Sequence, residues 1–337
     1  MKIKATSEIK KYLNKLNKNL YANYQNDYLD YYVDLKDEKK IKKELFHAGQ
    51  IELKDNSISL FIDSKKWMNN PYIKNVNFNN IKNNKYRYEN VLIEKSFLFN
   101  ADEIQDDEEQ ELKDYMKLRA LNNDIEVPFL YQGNKEWMMC TPSETITNDP
   151  YALKAHGKVI TFGLGIGYFV YKALLNKKVE SITVIEKSKE VIELFNSIKK
   201  DFPNINKLKI INGDAFDYFN EKCLSKYDYI YVDIYRSSDD GRIIIEKLLE
   251  QHNPPYNKLN FWIEKSCLNV IRTLIYLHYE ELVYQKENKT NKSFISLMKK
   301  VRIYFSNINK EIDNPNTLKK YMYSPRVLRE ILSIKLN

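Results

Sequence analysis

The chain has 337 residues, of which 43% are hydrophobic and 30% are charged, and its formal net charge is +8. This length predicts two or three structural units. No apolar run is long enough to cross a bilayer and the first residues lack a secretory signal, which argues against a membrane or secreted protein. The three cysteines are odd in number and far apart, so we expect reduced thiols and a cytoplasmic protein.

The first 140 residues predict an N-terminal α+β domain. Apolar and tyrosine side chains recur every three or four positions over residues 7–34, which predicts one long helix. Residues 86–99 are rich in β-forming side chains and predict one or two strands. Two further pairs of β-forming segments each flank a turn sequence and predict hairpins. They are residues 51–53 with 58–62 and residues 125–131 with 136–139.

Two polar segments of this domain are interpreted as exposed. The asparagine-rich residues 70–84 predict a loop. The acidic run at residues 102–111 predicts the solvated start of a helix that ends near residue 121, because acidic side chains favour the positive end of the helix dipole. We do not interpret this run as a metal site.

Backbone freedom is concentrated in one later segment. The chain has only eight glycines, and six of them lie from Gly157 to Gly241. A short apolar run ends there in Gly163, Gly165 and Gly167, and a helical pattern follows. Glycines allow a sharp turn and a close approach to a ligand, and a helix N-terminus favours negative charge. Strand, glycine turn and helix together predict a nucleotide-binding site.

Four of the five strands predicted in this region deliver an acidic residue at their carboxyl end: Glu186, Asp214, Asp233 and Glu264. The carboxyl ends of parallel strands meet at one sheet edge, where ligands of open α/β sheets bind. Glu186 lies 19 residues after Gly167, where a carboxylate can accept hydrogen bonds from ribose hydroxyls. The alternative for any single acid is a charge at a helix start.

Residues 141–285 resemble the class I S-adenosylmethionine (SAM)-dependent methyltransferases, in a branch close to spermidine synthase and other polyamine synthases. The methyltransferase pattern G-x-G-x-G fits the three loop glycines, whereas a dinucleotide fingerprint would need its third glycine at Tyr168. The resemblance implies a Rossmann-like, doubly wound, mostly parallel sheet. It also implies SAM as the cofactor, bound by residues of the loop and of the strand ends: Gly163, Leu164, Gly165, Gly167, Glu186, Lys187, Asp214, Ala215 and Asp233.

The methionine end of that site departs from the family pattern. These methyltransferases usually have an acid two residues before the first glycine, and this chain has Thr161 there. In similar enzymes the preceding segment lies across the cofactor pocket, so Glu144, Thr145 and Thr147 are candidates to compensate. The alternative is that residues 141–147 are an ordinary polar linker between the two domains.

Methyl transfer from a sulfonium is an in-line displacement, so the protein mainly aligns the reactants, excludes water and takes up a proton. Strand-end position makes Asp233 the first candidate for that proton, or for holding an amine, and Glu264 the second, with Tyr235 as a positioning hydroxyl. Polyamine (aminopropyl) transfer is the alternative within the fold, since acids cluster from Asp233 onward. The loop, however, has Leu164 and Ile166 around its middle glycine, where those synthases have an acid.

Other interpretations remain beside these enzymes. Residues 253–256 spell the Asn-Pro-Pro-Tyr signature of amino-group methyltransferases, but they follow Asp233 by 20 residues, and two prolines also suit a helix end. The chain could instead bind SAM without catalysis, as a sensor or scaffold. It could also be an interaction module in which the glycine turn is purely structural.

Residues 286–337 predict a basic helical C-terminal extension. They contain twelve Lys or Arg and four Asp or Glu, a net charge of +8 that equals that of the whole chain. Residues 294–305 predict one helix, and Ser324 with Pro325 opens another. Such an extension can bind nucleic acid or another acidic partner. The alternative is a lysine-rich layer that covers the sheet. The methyl acceptor and the oligomeric state are not indicated.

Overall fold

The computed structural model describes residues 1–20, 28–103 and 111–336. Its N-terminal part consists of short helices and small sheets. In chain order the elements are β1 (Lys2–Ile3), α1 (Ser7–Leu20), α2 (Glu38–His47), β2 (Phe61–Ile62), α3 (Ser64–Met68), α4 (Pro71–Asn75), β3 (Tyr86–Ile93), β4 (Phe99–Asn100), β5 (Leu118–Leu121), β6 (Ile125–Gln132) and β7 (Lys135–Met139).

The strand predictions for residues 86–139 are confirmed. β3 pairs antiparallel with β6 along its whole length, and β6 pairs antiparallel with β7. The turn between β6 and β7 contains Gly133, whose φ of 58° lies in the left-handed region. A second small sheet has the order β2-β5-β4, with β2 parallel to β5.

Two N-terminal predictions are wrong. Helix α1 ends at Leu20, residues 21–27 lie outside the described residues, and residues 28–30 form a turn in which Asp30 has a left-handed φ of 61°. No helix therefore continues to residue 34. The first predicted hairpin is also absent from the described residues, because Ile51–Lys54 form a 3-10 helix, and Leu53 packs into a small core with helix α2.

The polar segments also differ from the prediction. Part of the acidic run, residues 104–110, lies outside the described residues, but Glu111 is buried, and its carboxylate accepts a hydrogen bond from the Tyr12 hydroxyl at 2.5 Å. The chain then enters strand β5, not a helix that ends near residue 121. In the asparagine-rich stretch helix α4 forms, because the Asn70 side chain caps it and Pro71 occupies its first position.

The α/β core follows, and its elements are α5 (Pro142–Lys154), β8 (Gly157–Phe162), α6 (Tyr168–Leu175), β9 (Val179–Glu186), α7 (Lys189–Ile198), β10 (Leu208–Asn212), α8 (Ala215–Tyr218), α9 (Glu221–Leu224), β11 (Tyr229–Val232), α10 (Ser238–Gln251), β12 (Leu259–Phe261), α11 (Glu264–Cys267) and α12 (Asn269–Tyr284). Its five strands are all parallel, in the order β10-β9-β8-β11-β12. This is the doubly wound order, with its switch point between β8 and β11. The predicted Rossmann-like fold is confirmed.

Residues 141–147 are not a linker. They belong mostly to α5, which starts with a proline at its first position. Trp67 donates from its indole nitrogen to the Thr145 hydroxyl oxygen, and Trp262 donates in the same way to Thr147, each at 3.0 Å. The first turns of α5 are therefore held between the N-terminal part and the α/β core.

The C-terminal extension forms α13 (Ile295–Ser306), β13 (Glu311–Ile312), α14 (Pro315–Tyr323) and α15 (Pro325–Leu332). The predicted cap is confirmed, since the Ser324 side chain accepts a hydrogen bond from Val327 N–H. β13 pairs in parallel with β1, which joins the extension to the first residues of the chain. One hydrophobic core includes residues of all three predicted units, such as Ile9, Val159 and Leu328. The unit boundaries at residues 140 and 285 stay predictions.

Two cations of the extension are buried in ion pairs with the α/β core. The Lys300 side chain is 1% exposed, and its ammonium lies 2.8 Å from a Glu246 carboxylate oxygen. The Arg329 guanidinium binds both Glu264 carboxylate oxygens at 2.6 Å. Some of the basic residues of the extension therefore stabilise its packing against the α/β core. Within the described ranges, no helix is both long and apolar enough to cross a membrane.

Arg329→Met is expected to destabilise the protein by about 2–4 kcal/mol, because it leaves the Glu264 carboxylate, whose side chain is only 14% exposed, without its cation. Urea unfolding measures this change. The double variant Arg329→Met/Glu264→Leu is expected to recover most of the loss, since it removes both charges. A single variant as stable as the wild type would contradict a structural role for this pair.

Candidate cofactor and active site

One cavity opens at the carboxyl edge of the parallel sheet, beside the switch point between β8 and β11. Its volume is about 570 Å³, within the range of small-molecule pockets. Its walls are the glycine loop after β8, the ends of β9, β10 and β11, the start of α5, and strand β7 of the N-terminal hairpin. The cavity therefore lies where the fold predicts a ligand.

The glycine loop has a shape that side chains would prevent. Gly163, Gly165 and Gly167 have φ values of 94°, 52° and 83°. A Cβ atom on Gly163 would lie 2.0 Å from the backbone oxygen of Asp233, because β8 and β11 are adjacent strands. A Cβ on Gly165 would approach Met138 of the covering hairpin to 2.9 Å. The contact with a backbone oxygen requires a glycine at position 163, and the positive φ values favour glycine at all three positions.

Glu186 ends β9 and faces the cavity. Its two carboxylate oxygens each accept a backbone hydrogen bond, one from Leu164 N–H at 2.9 Å and one from Ser188 N–H at 2.7 Å. The pKa of Glu186 is raised, because the effect of burial is larger than the opposite effect of these hydrogen bonds. The carboxylate is thus fixed in position and keeps lone pairs for further donors, as the predicted ribose contact requires.

Asp214 and its neighbours form the wall next to Glu186. Asp214 caps the short helix α8 through a hydrogen bond from Phe216 N–H at 3.0 Å. The Lys187 ammonium lies 2.8 Å from the other Asp214 oxygen, and this hydrogen bond is the main cause of the lowered pKa of Asp214. Lys187, Asp214 and Ala215, which the resemblance predicts to bind the cofactor, all line the cavity. Their contacts with an adenine ring stay a prediction.

Glu144 and Asp233 form an acidic pair at the other end of the cavity. Both line it, Glu144 from α5 and Asp233 directly after β11. Burial raises the pKa of Glu144 to about 8, with the negative charge of Asp233 as the second cause. Burial alone raises the pKa of Asp233 to about 7. Over the residues that the structure describes, neither carboxylate has an ion pair. The pair is suited to binding a cation or accepting a proton.

The other predicted catalytic side chains are engaged in structural contacts. Glu264 does not line the cavity and is bound by Arg329. Tyr235 does line it, but its hydroxyl donates to the backbone oxygen of Trp262. The hydroxyl of Thr145, a candidate for the methionine end of the cofactor, also has partners within the protein, since it donates to Pro142 O at 2.9 Å and accepts from Trp67.

Several cavity residues had no signal in the sequence. Trp137 and Met138 come from strand β7, and the Arg236 guanidinium lies 4.0 Å from the Trp137 ring centroid, across the two sides of the cavity. Tyr168 and Asn148 complete the wall next to the loop. A hairpin far from the glycine motif contributes to the site only through tertiary packing. The Asn-Pro-Pro-Tyr segment lies outside this cavity and is bound through Tyr256 O by Arg329 at 3.4 Å.

The fold and the cavity define a Rossmann-like α/β protein with an acidic small-molecule pocket. No family model and no curated protein matches the sequence. Solved structures of similar shape include spermidine synthase from Thermotoga maritima, at 16% identity over 41% of this chain and 51% of that chain, with a TM-score of 0.30. A protein from Streptococcus mutans assigned as a SAM-dependent methyltransferase is 19% identical over 51% of this chain and 46% of that chain, with a TM-score of 0.30.

A third structure, of a protein assigned as a methyltransferase and complexed with S-adenosylhomocysteine (SAH), is 19% identical over 42% of this chain and 38% of that chain, with a TM-score of 0.27. The chain thus matches only about half the length of these proteins or less. The neighbours include both groups that the sequence resembles, methyltransferases and a polyamine synthase. The fold itself is defined by the observed strand order and direction.

Gly163→Ala is expected to destabilise the protein by more than about 3 kcal/mol, because the added methyl group meets a backbone oxygen that cannot move without separating two strands. Gly133→Ala is the matched control. Gly133 also has a positive φ, but a Cβ there would meet nothing within 4 Å, so only about 1–2 kcal/mol of backbone strain is expected. Equal losses in denaturant unfolding would contradict the steric argument.

The acidic pair predicts how stability depends on pH. Unfolded Asp and Glu ionise near pH 4, whereas folded Glu144 and Asp233 have pKa values of about 8 and about 7. Between about pH 4 and about pH 8 the folded protein therefore binds more protons than the unfolded protein does. The pair thus lowers the free energy of unfolding increasingly as pH rises through this range.

Glu144→Gln is therefore expected to raise the melting temperature of the ligand-free protein at pH 8.5, by about 2 °C for each kcal/mol relieved. The gain should be smaller at pH 5, where less of the penalty has developed. Glu264→Gln is the contrasting control, because it breaks the ion pair with Arg329 and should lower the melting temperature. A melting temperature of Glu144→Gln below that of the wild type at pH 8.5 would refute the predicted penalty.

Proposed function

We propose that the protein is a SAM-dependent methyltransferase. The observation that supports this best is the meeting of the glycine loop, Glu186, Asp214 and Asp233 around one cavity. The residues present fit the cofactor, because the glycine loop lines the cavity with backbone and Glu186 offers fixed acceptors beside it. When bound, SAM supplies a methyl group activated by a positively charged sulfur.

The roles of the side chains follow from their places in the cavity. The loop would support the cofactor's nucleoside, with Glu186 accepting hydrogen bonds from the ribose and the Asp214 region facing the base. Asp233 would take up the proton that the acceptor loses, since its pKa of about 7 is matched to this task near neutral pH. Trp137, Met138 and Arg236 would exclude water from that end of the cavity.

Aminopropyl transfer is the second candidate, favoured by one observation. The cavity contains two carboxylates, Glu144 and Asp233, without ion pairs to described residues, and an amine substrate would supply the missing positive charge. Against it, the loop presents Leu164 and Ile166, both buried, in place of an acid. We therefore place methyl transfer first.

Other expectations about the protein's setting remain proposals. The buried free thiols of Cys140 and Cys267 agree with the reducing cytoplasm. Nucleic-acid binding by the basic extension stays a prediction, although Lys300 and Arg329 are engaged in packing.

Calorimetric titration with SAM, SAH, decarboxylated SAM and NAD tests the proposal. We expect micromolar binding of SAM and SAH, no binding of NAD, and at least a tenfold loss in Glu186→Ala, which removes the ribose acceptor. Preference for decarboxylated SAM would favour the polyamine synthases. Absence of binding in a folded sample would refute both enzymes. Asp233→Asn should keep cofactor binding and lose turnover, whereas a sensor or scaffold would keep its full function.

A further inference from the structure

Some acidic side chains of the cavity have hydrogen-bond or ion-pair partners within the protein, and others have none in the described part of the chain. Asp214 is paired with Lys187, and Glu186 is held by two backbone N–H groups. Asp240, also in the wall, accepts hydrogen bonds from Ser237 and from Arg236 N–H in the capping box of α10. The carboxylates at the other end, Glu144 and Asp233, have no such partners among the described side chains. Two buried acids at one end of a cavity must each be neutralised, either by a proton or by a bound positive charge.

The backbone around Glu144, in the first turn of α5, is held by several hydrogen bonds. The next residue, Thr145, is bound by Trp67, and Thr147 is bound by Trp262. Asn148 donates to the backbone oxygen of Glu144 at 3.1 Å and accepts a hydrogen bond from the buried Tyr231 hydroxyl. Hydrogen bonds from both sides thus fix this turn of α5, while the Glu144 carboxylate remains directed to the cavity. This arrangement is typical of a preorganised binding residue.

We propose that Glu144 binds the ammonium of the cofactor's amino-acid end. This inference deepens the proposed function and rests on it. Strand β8 supplies only the buried Thr161 hydroxyl at this end of the cavity, so the negative charge comes from α5 instead. Of the three α5 candidates, Thr145 and Thr147 donate their hydroxyls to backbone oxygens of α5. The Glu144 carboxylate has no ion pair with a described residue and faces the cavity. Asp233 then remains free to act on the acceptor.

The proposal implies that binding releases a proton. The groups that face Glu144 are Asp233 after β11, Tyr231 on β11 and Cys140 before α5, and none of them is a cation. The other charged groups in the cavity wall are Glu186, Lys187, Asp214, Arg236 and Asp240. Near neutral pH the carboxyl of Glu144 is largely protonated, and an ammonium beside it favours the ionised form. Proton release should therefore accompany ligands that carry the ammonium.

The test compares SAH with 5′-S-(3-carboxypropyl)-5′-thioadenosine, which lacks only the ammonium. Calorimetry at pH 7 in two buffers of different ionisation enthalpy gives both the affinity and the protons released. The wild type should prefer SAH at least tenfold and release more protons with it. Glu144→Gln should reduce this preference to less than threefold, remove the extra proton release, and leave the affinity for the analogue within threefold.

Asp233→Asn is the matched control, since it neutralises the neighbouring carboxylate and should keep at least a tenfold preference for SAH. Thermal unfolding verifies that both variants are folded. The proposal is overturned if Glu144→Gln keeps the wild-type preference, if Asp233→Asn alone abolishes it, or if the wild type binds both compounds equally. Failure of the wild type to bind either compound would instead refute the proposed function, and the ammonium site with it.

Discussion

The close approach of strands β8 and β11 at the switch point is the constraint on which the site depends. Gly163 leaves β8 where Asp233 leaves β11, and a single Cβ atom would bring the two segments into collision. The turn of the glycine loop and the position of the Asp233 carboxylate are thus determined together. One backbone contact thus brings the glycine loop and an acid to the same cavity.

The N-terminal part and the α/β core meet around this cavity. Strand β7 covers the glycine loop with Met138, and Trp67 and Trp262 hold the start of α5 from opposite sides. The cavity is closed enough that burial dominates the pKa values of Glu144 and Asp233. The cost of keeping two acids there without a cation is borne by the ligand-free protein, as is common at functional sites.

The C-terminal extension is part of the same structure and not a loose appendage. Arg329 satisfies Glu264 at the end of β12, and Lys300 satisfies acids of α10. Glu264 occupies a strand-end position like that of Asp233, yet its charge is neutralised within the protein. Position at the sheet edge therefore does not show whether an acid is available to a ligand. That depends on whether a cationic side chain of the protein forms an ion pair with it.

The sequence by itself determined the α/β core. Apolar strands, alternating glycines and acids at strand ends are local patterns that a parallel sheet requires, and they located Gly163, Glu186, Asp214 and Asp233. Only the tertiary structure decided the other wall of the cavity, formed by Trp137, Met138 and the start of α5, because those contacts join residues that no local pattern connects. It also decided that Glu144 faces the cavity while Glu264 is neutralised, since the pKa and the partners of a carboxylate depend on what the fold packs around it.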